Sequence, residues 1–292
     1  MDEIVKKILL LPVTSDFIFK LIFGDSRNLD ILASFLMAVL NIPEEEFSHL
    51  TVVDPHVKKE SVDDKYAVLD VKVHTKSGIV IHVEIQVKSI PDMISRTVYQ
   101  HSKMITEQMS SGMNWSVIKK TVSIIITDYD LITSDGSDND SGGEIKKYHN
   151  KFRYRTEDGI EYTDLSEINI LELSKLPANE DSTELWWWMK FMKTDDGEVL
   201  NMIAERSPTM RKAVGVLKEL SADERTRMLY EARETARRDE ESRLSGAIRD
   251  TKNEIASNLI SIGMDDAAIV KSTGLTEREI ELLKEQILVN QP

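Results

Sequence analysis

The chain contains no cysteine. That absence excludes disulfides, thiolate catalysis and cysteine-ligated zinc, and it fits a reducing compartment. Cations are also in short supply: 37 lysines and arginines stand against 51 aspartates and glutamates, a formal net charge of -14 over 292 residues. A nonspecific nucleic-acid coat needs an excess of Lys and Arg, so this balance counts against one. It leaves room for a locally basic cleft, or for an acidic site that reaches phosphates through a metal. A basic segment feeding a long apolar run is missing as well. The stretch Met1-Asp2-Glu3-Ile4-Val5-Lys6-Lys7 opens with acids, so no secretion signal or membrane span is expected and the cytoplasm is the expected address. What is present, 41% hydrophobic and 30% charged residues, describes a soluble globular protein with one large domain and an appendage.

The most informative stretch is Tyr66 to Val87. Ala67, Leu69, Val71 and Val73 alternate with Asp70 and Lys72; Ile79, Ile81, Val83, Ile85 and Val87 alternate with His82, Glu84 and Gln86. Period-2 alternation predicts two strands, each with one apolar face. A turn at Lys76-Ser77-Gly78, with Gly78 left-handed, pairs Thr75 with Ile79 and sets Asp70 opposite Glu84. A two-residue turn would pair Asp70 with Ile85 and scramble both faces, so the pattern selects the longer loop. Two carboxylates about 5 Å apart repel by about 3 kcal/mol at an effective dielectric of 20, a cost that a bound cation removes. The competing reading is a solvated sheet face on which Lys72 and His82 neighbour the two acids.

The flanks predict a mixed α/β (α+β) domain. Thr14 to Gly24 reads as a short amphipathic helix capped by Thr14 or Ser15, and Asp30 to Leu40 as a second helix ending before Pro43. A strand over Leu50 to Val57 precedes the hairpin. After it, Pro91-Asp92 opens a helix that carries Arg96, Tyr99 and Lys103 as one polar stripe beside the acids and ends near Gly112. Thr121 to Thr127 is apolar and β-branched enough for a buried strand, Thr133 to Gly143 reads as a mobile surface loop, and strand-like segments recur at Lys147 to Arg155 and Ile168 to Leu173. Asp181-Ser182-Thr183-Glu184 caps a helix holding Trp186, Trp187 and Trp188, which are expected to pack in the core or cover a domain junction, with base stacking as the alternative. Beyond Glu198 no strand signal remains. Ala222 to Leu259 is a charged helix whose broken stripe of Met228, Ala232, Leu244, Ile248, Ile255 and Leu259 suits either association with another helix or packing over its own domain. Two short helices follow, the second opened by the capping box Thr276-Glu277-Arg278-Glu279; its acidity favours packing or oligomerisation over base reading.

In order, Ser15-Asp16-Phe17-Ile18-Phe19-Lys20-Leu21-Ile22-Phe23-Gly24, Leu69-Asp70-Val71, Val83-Glu84-Ile85-Gln86, Arg96 with Tyr99, Gln108 to Gly112, Leu171 to Leu176 and the Trp helix resemble the Rpn family of recombination-promoting nucleases and putative transposases. That family is a branch of the PD-(D/E)XK nuclease superfamily. The resemblance implies a restriction-endonuclease-like core, a central mixed β-sheet flanked by helices over residues 1–200, and an all-helical region over 201–292 for oligomerisation or accessory work. It implies a bacterial, Mg2+-dependent DNA endonuclease linked to recombination or mobile elements, with Mn2+ or Ca2+ able to replace Mg2+. Asp70, Glu84 and the Ile85 carbonyl are the implied metal ligands, and Gln86 stands where the superfamily usually has Lys. A hard cation suits these oxygens. Gln86 can position a water but cannot act as a base at neutral pH. Lys72 is the candidate for the missing positive charge, or simply offsets the acids. Asp16, Lys20, Lys65, Arg96 and Tyr99 are candidates for substrate contact, with a first-turn helix role as the alternative for Asp16. DNA is the expected partner, with no membrane and a homo-oligomer formed through the C-terminal helices. The rival readings are an inactive nuclease fold kept for binding and a defence nuclease acting on RNA.

Overall fold

A computed structural model describes residues 9–52, 71–133 and 147–289. The elements run α1 (Asp16–Phe23), α2 (Leu29–Leu40), β1 (Thr51–Val52), β2 (Val71–His74), β3 (Val80–Gln86), α3 (Met93–Thr106), β4 (Thr121–Thr127), β5 (His149–Arg155), β6 (Glu161–Glu172), α4 (Glu184–Lys193), α5 (Gly197–Arg206), α6 (Pro208–Ala222), α7 (Glu224–Ser261), α8 (Asp266–Thr273) and α9 (Glu277–Val289). Within the described residues the expected helices and strands are present; the first half of the first hairpin strand, Tyr66 to Asp70, lies outside them. Most of the expected loop at Thr133 to Gly143 lies outside the described residues, as does the second half of the strand expected over Leu50 to Val57.

The six strands among the described residues form one mixed sheet in the order β1-β2-β3-β4-β6-β5. β2 and β3 are antiparallel; β3, β4 and β6 are mutually parallel; β5 returns antiparallel at the edge. The hairpin adopts the expected register, Val71 opposite Val83 and Lys72 opposite His82. Its turn closes through Thr75 N–H to the Ile79 carbonyl at 3.1 Å, with Gly78 at φ 88°, a conformation open to glycine and strained for other residues.

One sheet face carries Val71, Val73, Ile81, Val83, Ile85, Val122, Ile124, Ile126 and Leu171 into the main core, where α1, α2, α4, α5 and α6 supply the opposing apolar surface. Trp188 is its aromatic hub, with ring centroids 5.8 Å from Phe23, 6.3 Å from Phe35 and 6.0 Å from Phe191. Trp186 and Trp187 are buried too, so the tryptophan helix serves packing and the stacking alternative fails. Its cap is Thr183, whose hydroxyl accepts the Trp186 N–H. Leu200, Ile203, Met210, Ala213, Val214 and Leu217 of α5 and α6 belong to this core, which carries the first compact unit past the last strand to Tyr230.

The second unit, from Glu231 onward, has its own small core of Ala256, Ile269, Leu275 and Ile280. There Thr276 and Glu279 form the reciprocal capping box, and Asp265 caps α8. Truncating Trp188 to Ala removes the hub of the larger core and is expected to lower the unfolding free energy by about 3–5 kcal/mol; urea denaturation of wild type and W188A measures this.

Candidate active site

The other face of the sheet is closed by α3. The helix presents Met93, Thr97, His101 and Met104, at helical spacing, as its buried side. Met93 packs with Ile125 and Ile170 of the sheet. Beneath it His82 and Glu84 are 7% and 3% exposed, so the solvated-face alternative fails for both. Strand alternation marks a polar face, but it cannot tell water from the polar underside of a helix.

Glu84 lies in the middle of this layer, in register with Ile125 of β4. An Arg96 Nη2 on α3 approaches its Oε1 to 2.8 Å, while the rest of the Arg96 side chain is 41% exposed. The strand supplies the buried carboxylate and the helix supplies its cation, which also keeps access to solvent. Of the stripe expected beside the acids, Arg96 is the member on Glu84; Tyr99 is largely exposed, and Lys103 sits one turn before Glu107 at 3.8 Å.

Two residues beyond Glu84, Gln86 ends β3, and its Nε2 donates to the Lys88 carbonyl at 2.9 Å. That bond fixes the amide and leaves Oε1 as the acceptor. Gln86, Thr127 and Glu172 form one rung at the carboxyl ends of the three parallel strands, the place where open sheets with parallel strands bind ligands. Lys72 lies elsewhere on this face: its Nζ meets Glu107 Oε2 at 3.3 Å. Asp16 is in the first turn of α1, where its Oδ1 accepts the Phe17 N–H. Lys20 is buried in the same helix, and Gly24, just past the helix end, has room for no Cβ because the Lys20 carbonyl would stand 2.8 Å away and Val71 lies close by. The Ile85 side chain packs into the main core, so its backbone carbonyl is the group that the resemblance concerns. Asp70 and Lys65 lie outside the described residues.

Two features of the site had gone unread in the sequence. Tyr129, just beyond β4, buries its hydroxyl without a hydrogen-bond partner among the described residues; burial, with Glu84 repulsion added and Arg96 opposing, raises its pKa. Its loop is pinned by Thr127 Oγ1 donating to the Tyr129 carbonyl and by Glu172, which accepts the Leu131 and Ile132 N–H groups and meets Lys175 at 2.9 Å. The available signal was position, a tyrosine directly after a buried parallel strand. The second feature is His101, bonded at 2.8 Å to both Ser123 Oγ and Ser166 Oγ, which ties α3 to β4 and β6.

Among the described residues no three His, Cys, Asp or Glu side chains group to hold a metal ion. The donors present, a buried carboxylate on Glu84 and an amide oxygen on Gln86, are hard oxygens and suit a hard cation in kind. Among the described residues no helix is long and apolar enough to cross a membrane.

The family described as PD-(D/E)XK nuclease family transposase matches residues 13–247. No curated protein and no solved structure matches the chain.

Burial, with the nearby charge of His82 adding to it, holds His101 below the ordinary histidine value of 6.5. A histidine kept neutral by the fold contributes stability that is complete above its unfolded pKa and declines as pH falls through 6.5. The unfolding free energy is therefore expected to drop between about pH 7 and about pH 5, with a shallower slope in H101Q. Urea titrations across that range check it, and equal slopes would remove the assignment to His101.

Proposed function

Because the chain belongs to the PD-(D/E)XK nuclease family of transposases, we propose that it is a metal-dependent endonuclease that hydrolyses phosphodiester bonds of DNA, with Mg2+ as its working ion and Mn2+ or Ca2+ able to replace it. Its role would be in recombination or the movement of mobile elements. The observation that carries this reading is Glu84, a carboxylate buried on a central strand, neutralised by Arg96 and set next to the rung at the carboxyl ends of the parallel strands.

Asp70, Glu84 and the Ile85 carbonyl would hold the cation. When bound it would lower the pKa of a water and offset charge on the phosphoryl oxygens. Gln86, its amide fixed on the Lys88 carbonyl, would orient that water through Oε1 without taking its proton. Arg96, half in solvent, would offer its guanidinium to a phosphate once the cation takes over the neutralising of Glu84. Tyr129 would aim its buried hydroxyl at the same place. Lys72, held by Glu107, would supply charge at the rim of the site, with Lys65 and Tyr99 as further substrate contacts.

Purified protein incubated with plasmid DNA and Mg2+ is expected to nick or linearise it, and D70A or E84A to reduce the rate by a hundredfold or more. Cleavage that survives either substitution, or digestion of RNA with DNA left whole, would contradict the reading.

We propose further that, within the helical region 201–292, the exposed stripe of α7 forms the oligomerising surface, residues 201–230 being committed to the first unit. Leu244, Ile248 and Ile255 of α7 are about half exposed or more and recur on helical spacing. Light scattering at micromolar concentration is expected to give a multiple of the monomer mass, reduced to one chain by L244K with I248K. A monomer in the wild type would contradict it.

A further inference from the structure

A second cluster of charge lies across the sheet from Glu84, on the main-core face, where the opening end of β4 and the second half of β5 flank β6. Its centre is Glu167 of β6, 1% exposed. Three cations converge on this one carboxylate: Lys120 Nζ at 3.1 Å, Lys151 Nζ at 3.4 Å and Arg153 Nη2 at 2.7 Å. Asn169 Nδ2 adds a hydrogen bond at 3.0 Å, and its own Oδ1 bonds His149 Nε2. Burial would push the Glu167 pKa up, but the Asn169 and Lys120 hydrogen bonds and the charges of Lys120 and Lys151 outweigh it and hold the group down at about 2.

The three basic side chains and Glu167 line a half-open cavity of about 240 Å³, whose wall also includes the apolar Ile79 and Val122. In a chain of net charge -14, this lining has three positive groups and one negative. That one carboxylate is already satisfied by Arg153, whose Nε and Nη2 both meet Oε2, and by the Asn169 amide on Oε1. Lys120 and Arg153 bond the same Glu167 oxygen, so their cationic heads stand close together and repel. Both lysine side chains line the cavity and remain 20% and 28% exposed. The surplus charge equals that of a phosphate monoester, about -1.5 to -2 at neutral pH. The volume exceeds that of a phosphate group alone, and the apolar wall gives a sugar or base something to pack on.

We propose that this cavity binds a nucleotide phosphate monoester, with Lys120, Lys151 and Arg153 on the phosphate and the apolar wall against the nucleoside. The shared chemistry admits a free mononucleotide or the phosphorylated end of a strand. The inference does not rest on hydrolysis at Glu84, which lies on the opposite face.

Isothermal titration in EDTA separates the two sites, because no divalent cation is then available. The probes are a deoxynucleoside 5′-monophosphate, the matching nucleoside, and a short oligonucleotide with and without a 5′-phosphate. The expected result is binding that requires the phosphate and is weakened tenfold or more in K151Q and in K120Q. Preference for the oligonucleotide assigns a strand end; preference for the monophosphate assigns a free nucleotide; either supports the site. If K120Q fails to fold, K151Q carries the test, since Lys151 makes a single 3.4 Å contact to Glu167. No binding of any phosphorylated probe, equal binding of the bare nucleoside, or unaltered affinity in a folded K151Q would overturn the proposal.

Discussion

A single carboxylate in the middle of the sheet sets the terms for the rest of the molecule. Glu84 is buried on β3, between β2 and β4, and a buried carboxylate without a cation costs several kcal/mol. Arg96 answers that need only if α3 lies across the sheet at a fixed rotation. The fixing comes from residues that never touch Glu84. Met93 packs on Ile125 and Ile170 at one end, and farther along the helix His101 is gripped by serines of two strands.

The same logic continues at the strand ends. β3, β4 and β6 run parallel, so their carboxyl ends open together, and the Gln86-Thr127-Glu172 rung is where the backbone leaves the sheet. Glu172 uses its buried carboxylate to hold the loop after β4, the loop that carries Tyr129. Two buried acids on one sheet face thus do different work: Glu172 is saturated by backbone N–H groups and Lys175, while Glu84 is neutralised by a side chain that reaches solvent. That contrast is why Glu84, and not Glu172, is the carboxylate we propose for the metal.

The hairpin was legible because two independent signals agreed, the alternation of apolar residues and a glycine at the one turn position that needs a left-handed backbone. The burial of its polar face was not, since α3 covers it with Thr97 and His101, residues that look like surface in a linear reading. Arg96 was found as part of a stripe, but spacing alone could not choose it over Tyr99 or Lys103; only the tilt of the helix does. β6 proved longer than its sequence signal, because Glu161 to Glu167 owes its strand conformation to cations on β5 rather than to apolar alternation. The family resemblance, carried by motifs spread from Ser15 to the tryptophan helix, is matched by the family assignment over residues 13–247.

The most direct test of the account is whether Glu84 binds a divalent cation, measured by calorimetric titration of Mn2+ into the wild type and into E84Q, a substitution that keeps the shape and removes the charge. The account predicts binding in the wild type and affinity at least tenfold weaker in a folded E84Q. Equal affinity in the two proteins, or no binding in the wild type, would contradict it.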